Sequence, residues 1–133
     1  MSNATNDKPG PADDKNASIS AQIETHRAEQ LAYQSQLPEI RAEGVRALWR
    51  LAEIAQGYSG QCRRVAAFLL GLYNGQRFPF DLTDFRGLDR AIFDDCMAVL
   101  RMDHTPQREV HCYFENGGKL FERLAGNWGI RDR

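Results

Sequence analysis

The chain has 133 residues and a mass of 15.1 kDa, enough for one ordinary domain with a buried core and too few to expect two. Its 17 basic and 18 acidic residues leave a net charge of -1, so no overall field attracts the molecule to nucleic acid or to an anionic membrane. The three cysteines cannot all pair within one chain and form no C-x-x-C unit, so they indicate neither a disulfide framework nor a zinc knuckle, and a reducing cytoplasm fits best. The sequence has neither the pattern of a signal peptide nor an apolar run of membrane-spanning length, so we expect a soluble cytoplasmic protein.

The composition of the N-terminal third divides it into a tail, a polar helix and the start of a helical domain. Residues 1–17 contain no large apolar residue after the first position, and this composition predicts a disordered tail. Residues 18–36 have a thin, interrupted apolar stripe at helical spacing, which predicts a polar and loosely attached helix. Pro38 suits the first turn of a helix, so we predict that a new helix starts there and opens a helical domain over residues 37–133.

The stretch QCRRVAAFLLGLYN, residues 61–74, is the most apolar part of the chain. From residue 65 to residue 73 it is apolar or glycine on every side, and a helix that is hydrophobic all round must be buried. Ser59 is placed to cap its start, and Asn74 with Gly75 to supply a left-handed exit. We therefore predict an all-α fold, a compact bundle of five or six helices around this buried central helix.

The segment that follows the central helix is rich in aromatic and charged residues. Pro79 forbids a continuing helix, and Asp81 and Asp84 form a capping pair for a single turn that ends at Gly87. A rigid loop with such side chains between two buried helices is typical of a binding surface, although clustered aromatic residues also often close the end of a core. The residues that we expect to contact a partner protein are Arg77, Phe78, Phe80 and Arg86.

The C-terminal third supports a second hypothesis. Residues 88–102 have the apolar spacing of another core helix. We predict a short helix from Pro106, a turn at residues 116–118 and a last helix that ends at Gly129. This pair has the outline of a helix-turn-helix, so the alternative function is a DNA-binding regulator, although the balanced charge weighs against it. The residues that would then contact nucleic acid are Lys119, Arg123 and Asn127.

Few other residues indicate chemistry. Arg63 and Arg64 lie in the first turn of the central helix, where a bound anion would offset their repulsion by the helix dipole; a salt bridge is the simpler interpretation. Asp81 and Asp84 could face one metal or proton, but no nucleophile or general base lies near them in sequence. The histidines and cysteines lack the regular ligand pairs of zinc sites. We expect no enzymatic activity, no metal and no cofactor.

The run LLGLYNGQRFPFDLTDFRGLDRAIFDDCMAVLRMD, followed by EVHCYFENGGKLFERLAGNWGI, resembles a family of small uncharacterised proteins carried on plasmids and integrative elements of proteobacteria. The family is known only as a domain of unknown function, and the resemblance covers residues 64–130. It implies no activity or catalytic residue, but it implies a mobile-element setting, in which small proteins often inhibit, regulate or bridge others. We therefore expect a non-enzymatic interaction or regulatory protein that modulates a host or element-encoded protein of unknown identity, and that does not contact a membrane.

Overall fold

The computed structural model describes residues 11–133, with side chains from residue 14 onward. These residues contain four α-helices, two short 3-10 helices and no strand, so the predicted all-α bundle is confirmed. The chain divides into two units, residues 1–37 and 38–133. The first ten residues of the predicted tail lie outside the described part. The α-helices are α1 (Pro11–Ala55), α2 (Gly60–Tyr73), α3 (Arg90–His104) and α4 (Gly117–Trp128), and the 3-10 helices are Leu82–Gly87 and Val110–Tyr113.

Helix α1 differs from the prediction, because it replaces two predicted helices and begins before residue 18. Pro38 lies inside it and does not start a new helix. Proline has no N–H group, so the carbonyl of Gln34 loses its intrahelical donor. Both residues are exposed, and water can satisfy that carbonyl. The proline was therefore a misleading boundary signal, since a proline at an exposed position is tolerated within a long helix.

The core of residues 38–133 is built around α2, as predicted. The Ser59 hydroxyl caps this helix by accepting the N–H of Cys62. Burial does not extend round every side of α2, because Arg63 is exposed and Ala67 and Leu72 are only half-buried. The buried residues of the helix are Val65, Ala66, Phe68, Leu69 and Leu70, and those of its walls include Leu48, Leu51, Cys96, Val99, Met102, Phe121 and Leu124.

The exit from α2 also differs from the prediction. Asn74 has φ -157° and is extended, and the left-handed conformation predicted for this exit is absent. The side chain of Asn74 makes the turn, because its Oδ1 accepts the N–H groups of Gln76 and Arg77, each at 3.2 Å. Such side-chain acceptance lets an asparagine reverse the chain without a positive φ.

The predicted helix from Pro106 is reduced to the four-residue 3-10 helix Val110–Tyr113. Asn116 takes the left-handed conformation, with φ 54°, and α4 then begins at Gly117. A side chain on Gly117 would overlap the carbonyl oxygen of His111, so the close approach of this short helix to α4 requires glycine. The glycines predicted as a turn belong instead to the first turn of α4.

The end of α4 confirms the prediction of a glycine stop. Gly129 is left-handed, with φ 61°. The N–H of Ile130 reaches back to the carbonyl of Ala125 at 3.0 Å, and the side chain of Ile130 packs against the core. This is the hydrogen bond and the apolar contact of a Schellman motif.

Candidate functional site

Two of the four residues predicted to contact a partner make contacts within the fold, although the side chain of Arg77 stays 33% exposed. Phe78 is 1% exposed and belongs to the core, so it is not part of an exposed aromatic surface. The guanidinium of Arg77 lies 4.6 Å from the centre of the Phe78 ring. Arg77 also donates two hydrogen bonds to the Glu122 carboxylate, at 2.6 and 2.9 Å, and further bonds to Asp132. Its charge is thus compensated by two carboxylates of the same chain.

This ion-pair network fixes the loop after α2 against α4. The hydroxyl of Tyr73 donates to Glu122 at 2.6 Å, and the backbone N–H of Arg133 donates to the carbonyl of Arg77 at 2.7 Å. The hydrogen bonds from Arg77, and then that from Tyr73, lower the pKa of Glu122 to about 2. The pKa of Arg77 is raised, chiefly by Glu122 and then Asp132. The network therefore holds the loop after α2 against α4.

Phe80 remains partly exposed and starts an aromatic cluster. Its ring centre lies 5.7 Å from that of Phe68 and 5.0 Å from that of Phe85, and both pairs are packed edge to face. Phe85 in turn contacts Phe93 on α3 at 5.5 Å. Gly71 lets the loop lie against α2, because a side chain there would come within 3.1 Å of the Cβ of Phe80. The sequence left open whether these rings close the end of the core or are exposed. Phe68 is buried in the core, whereas Phe80 and Phe85 are half-buried at its edge.

A shallow apolar pocket of about 180 Å³, which we call the Leu82 groove, lies beside this cluster, between α2, the first 3-10 helix and α3. Leu82 keeps 72% of its surface exposed there and Leu100 keeps 38%. Leu72 belongs to the stretch predicted to be buried on every side and Leu100 to the core helix predicted over residues 88–102, whereas the sequence analysis does not single out Leu82. The surface of the groove consists almost entirely of apolar atoms, contributed by Phe68, Gly71, Leu72, Gly75, Phe80, Leu82, Phe85 and Leu100.

Leu82 is held in place by the predicted capping turn. The Asp81 carboxylate accepts the N–H of Thr83 at 2.9 Å and its hydroxyl at 2.8 Å. These bonds lower the pKa of Asp81. The N–H of Leu88 closes the other end of the turn on the carbonyl of Phe85, at 3.2 Å. The exposed leucine therefore stands on a turn that is bonded at both ends.

The basic residues of the anion hypothesis have separate surroundings. Arg64 donates to the carbonyl of Gly87 at 3.4 Å and lies against that glycine, so it helps to hold the loop. Arg63 is exposed, and among the described residues neither arginine forms the expected salt bridge. Arg86 is also exposed, next to the groove in sequence.

The residues of the nucleic-acid hypothesis form one exposed row on α4. Lys119, Arg123 and Asn127 are four residues apart. The last two line a hollow of about 420 Å³ with the exposed Tyr58 and with Trp128, whose indole N–H donates to the carbonyl of Ala55 at 2.7 Å. The predicted first helix of the pair is only the four-residue 3-10 helix Val110–Tyr113, which is too short to serve as the first helix of a helix-turn-helix, the one that crosses the DNA backbone.

Among the described residues, no three His, Cys, Asp or Glu side chains are grouped so as to hold a metal ion. The three cysteines are free, and burial raises the pKa of the Cys96 thiol to about 12, which makes it unreactive at neutral pH. No helix among the described residues is both long and apolar enough to cross a membrane.

Comparison with known proteins gives one match. A model described as a family of unknown function, DUF7673, matches residues 45–129, a range that begins within α1 and ends at Gly129. No curated protein and no solved structure matches the chain. The matched range contains every residue of the Leu82 groove.

Proposed function

The chain belongs to the family of unknown function DUF7673, and we propose that it is a non-enzymatic binding protein whose Leu82 groove receives one large apolar side chain of a partner protein. The observation that carries this proposal is the exposure of Leu82 and Leu100 at the rim of an apolar hollow. Most surface leucines stand singly, whereas these two lie together over aromatic rings.

The chemistry of the groove selects its occupant. A polar or charged group would lose its hydration there and find almost no hydrogen-bonding atom in return. The volume of about 180 Å³ is also small beside the roughly 300–1,000 Å³ of small-molecule sites. It suits one leucine, methionine or phenylalanine side chain that anchors a larger interface, as the central residues of protein interfaces do.

The predicted contact residues take different parts in this proposal. Phe80 lies in the groove, and Arg86 is exposed and follows the groove residue Phe85 in sequence, so we assign it to an acidic group of the partner. Arg77 and Phe78 hold the loop in place, Arg77 through its hydrogen bonds to Glu122 and Phe78 through its burial in the core. The setting proposed from the resemblance is a mobile element, where the partner is a host or element-encoded protein that this chain inhibits or modulates in the cytoplasm.

The experiment is a selection of random peptides, displayed on phage, against the purified protein. We expect the recovered peptides to share one large apolar residue. Leu82→Lys should weaken their binding at least tenfold, about 1.4 kcal/mol, because it places a charge at the rim. Leu31→Lys is the matched control, since Leu31 is 61% exposed but lies outside the groove, and it should leave binding unchanged.

The alternative hypothesis, DNA binding through α4, predicts a different result for the same protein. DNA binding through α4 would appear as salt-dependent affinity for a duplex, and neutralising Lys119 and Arg123 would weaken it and flatten the salt dependence. Duplex binding of that kind, or selected peptides that bind the Leu82→Lys and Leu31→Lys proteins equally well, would reject the groove as the binding site.

A further inference from the structure

The polar hollow of about 420 Å³ at the end of α1, which we call the Tyr58 hollow, shares no residue with the Leu82 groove. It lies between the last turn of α1, the loop that leads to α2 and the C-terminal half of α4. The side chains that line it include those of Gln56, Tyr58, Arg123, Asn127 and Trp128. Its volume falls within the roughly 300–1,000 Å³ of small-molecule sites, whereas that of the groove does not.

The charge in the Tyr58 hollow indicates the charge of its ligand. Among the described residues that line the hollow, Arg123 is the one that carries a charge. Its guanidinium forms neither an ion pair nor a hydrogen bond with another described residue. By contrast, Arg50 and Arg77 each donate two hydrogen bonds to one carboxylate, that of Asp95 and that of Glu122. The free guanidinium of Arg123 can offer the same two donors to a phosphate or carboxylate group of a ligand.

The end of α1 repels such an anion less than an open helix C-terminus would, because its last carbonyl groups are already hydrogen-bonded. The carbonyl of Ala55 accepts the indole N–H of Trp128 at 2.7 Å, and that of Ala52 accepts the side-chain amide of Gln56 at 3.0 Å. The two carbonyls between them accept backbone N–H groups of the loop, at 3.2 and 2.9 Å. These bonds offset the partial negative charge that unsatisfied carbonyls leave at the end of a helix.

Two further side chains of the hollow suit a flat ring with a polar edge. The side chain of Tyr58 is 99% exposed, so its ring offers a free face on which a planar group can stack. The exposed amide of Asn127 offers a donor and an acceptor side by side, the pair that matches the edge of an adenine ring. We propose that the Tyr58 hollow binds an adenine mononucleotide, with its phosphate on Arg123 and its base against Tyr58 and Asn127.

The test is the dissociation constant of AMP for the full chain, measured by isothermal titration calorimetry. We expect a constant below about 1 mM, and Arg123→Gln should raise it at least tenfold because it removes the phosphate contact. Lys119→Gln is the matched control: it removes the same charge one turn earlier on the exposed row of α4, outside the hollow, and should leave the constant unchanged.

Adenosine, which lacks the phosphate, separates the two contacts. It should bind at least tenfold more weakly than AMP, and Arg123→Gln should leave its constant unchanged. Tyr58→Ser should weaken AMP and adenosine alike, because both would stack on the ring; the exposure of Tyr58 means that this change leaves the fold intact.

Three results would overturn the inference. The first is that AMP does not bind at about 5 mM, and the second is that inorganic phosphate binds as tightly as AMP. The third is that Lys119→Gln weakens AMP binding as much as Arg123→Gln does, which would assign the binding to the whole charged row of α4. Leu82→Lys should leave the AMP constant unchanged, so this inference and the binding role of the groove can fail separately.

Discussion

Replacing Leu69 with alanine tests whether α2 is the centre of the core. Leu69 is fully buried, and the change removes three carbon atoms at about 0.8 kcal/mol each before any cavity forms. Surrounding helices close such a cavity only in part, so the total loss should fall at about 3–4 kcal/mol, within the usual range of about 2–5. For a unit of this size, that corresponds to a fall in the thermal midpoint of at least about 12 °C.

Urea unfolding followed by circular dichroism measures this loss, and it also distinguishes the buried Leu69 from the exposed Leu82. Leu82→Ala removes the same atoms from a residue that keeps 72% of its surface exposed, so it should cost less than about 1 kcal/mol. The free energy of unfolding of both variants should fall with urea concentration at the same slope as that of the parent protein. A loss below about 1 kcal/mol for Leu69→Ala, or equal losses for the two variants, would refute the assignment of Leu69 to the core and Leu82 to the surface.

Two further predictions concern α4. Gly117→Ala should destabilise the fold by about 1–3 kcal/mol or more, because its methyl group would overlap the His111 carbonyl, whereas Gly118→Ala, which meets nothing within 4 Å, should be neutral or stabilising; urea midpoints compare the two. Glu122 has a folded-state pKa of about 2, below its ordinary 4.5, so its contribution to stability is present above about pH 4.5 and is lost as the pH falls towards 2. Over that window the unfolding midpoint of the parent should fall more steeply than that of Glu122→Gln, and parallel curves would contradict the role of the network.

Local signals in the sequence predicted helix ends well. Ser59 caps α2, Asp81 caps the first 3-10 helix and Gly129 ends α4, each through hydrogen bonds within a few residues. Such interactions depend on neighbours in sequence and can be read from it. The exit of α2 at Asn74 and the boundary at Pro38 were not predicted correctly. The effect of Pro38 depends on whether water can reach the carbonyl of Gln34, which has lost its N–H donor, and that depends on the tertiary structure.

The candidate site was harder to predict than the fold. Apolar periodicity marks the face of a helix that can be buried, but it does not say how far the neighbouring elements extend over it. Leu72 and Leu100 follow the core pattern and yet lie at the edge of the bundle, where the neighbouring elements leave a groove. Phe78 stands in a loop and is nevertheless buried. The one signal for Leu82 was a leucine directly after the Asp81 cap.

The geometry of the loop explains how an exposed apolar site keeps its shape. Arg77 is tied to α4 and to Asp132, and the turn that carries Leu82 is bonded at both ends. A preorganised groove loses little conformational entropy when it binds, so a single anchor side chain contributes more to affinity. Loosening the loop should therefore weaken binding without altering the groove's preference for apolar residues.

The most direct measurement of the central claim is an NMR titration of the isotopically labelled chain with a peptide obtained from the selection. We predict that the backbone amide signals of Gly71, Gly75, Leu82 and Leu100 shift, and that those of Lys119 and Arg123 do not. Shifts confined to the α4 row, or unchanged signals throughout the Leu82 groove while the peptide is bound, would contradict the account.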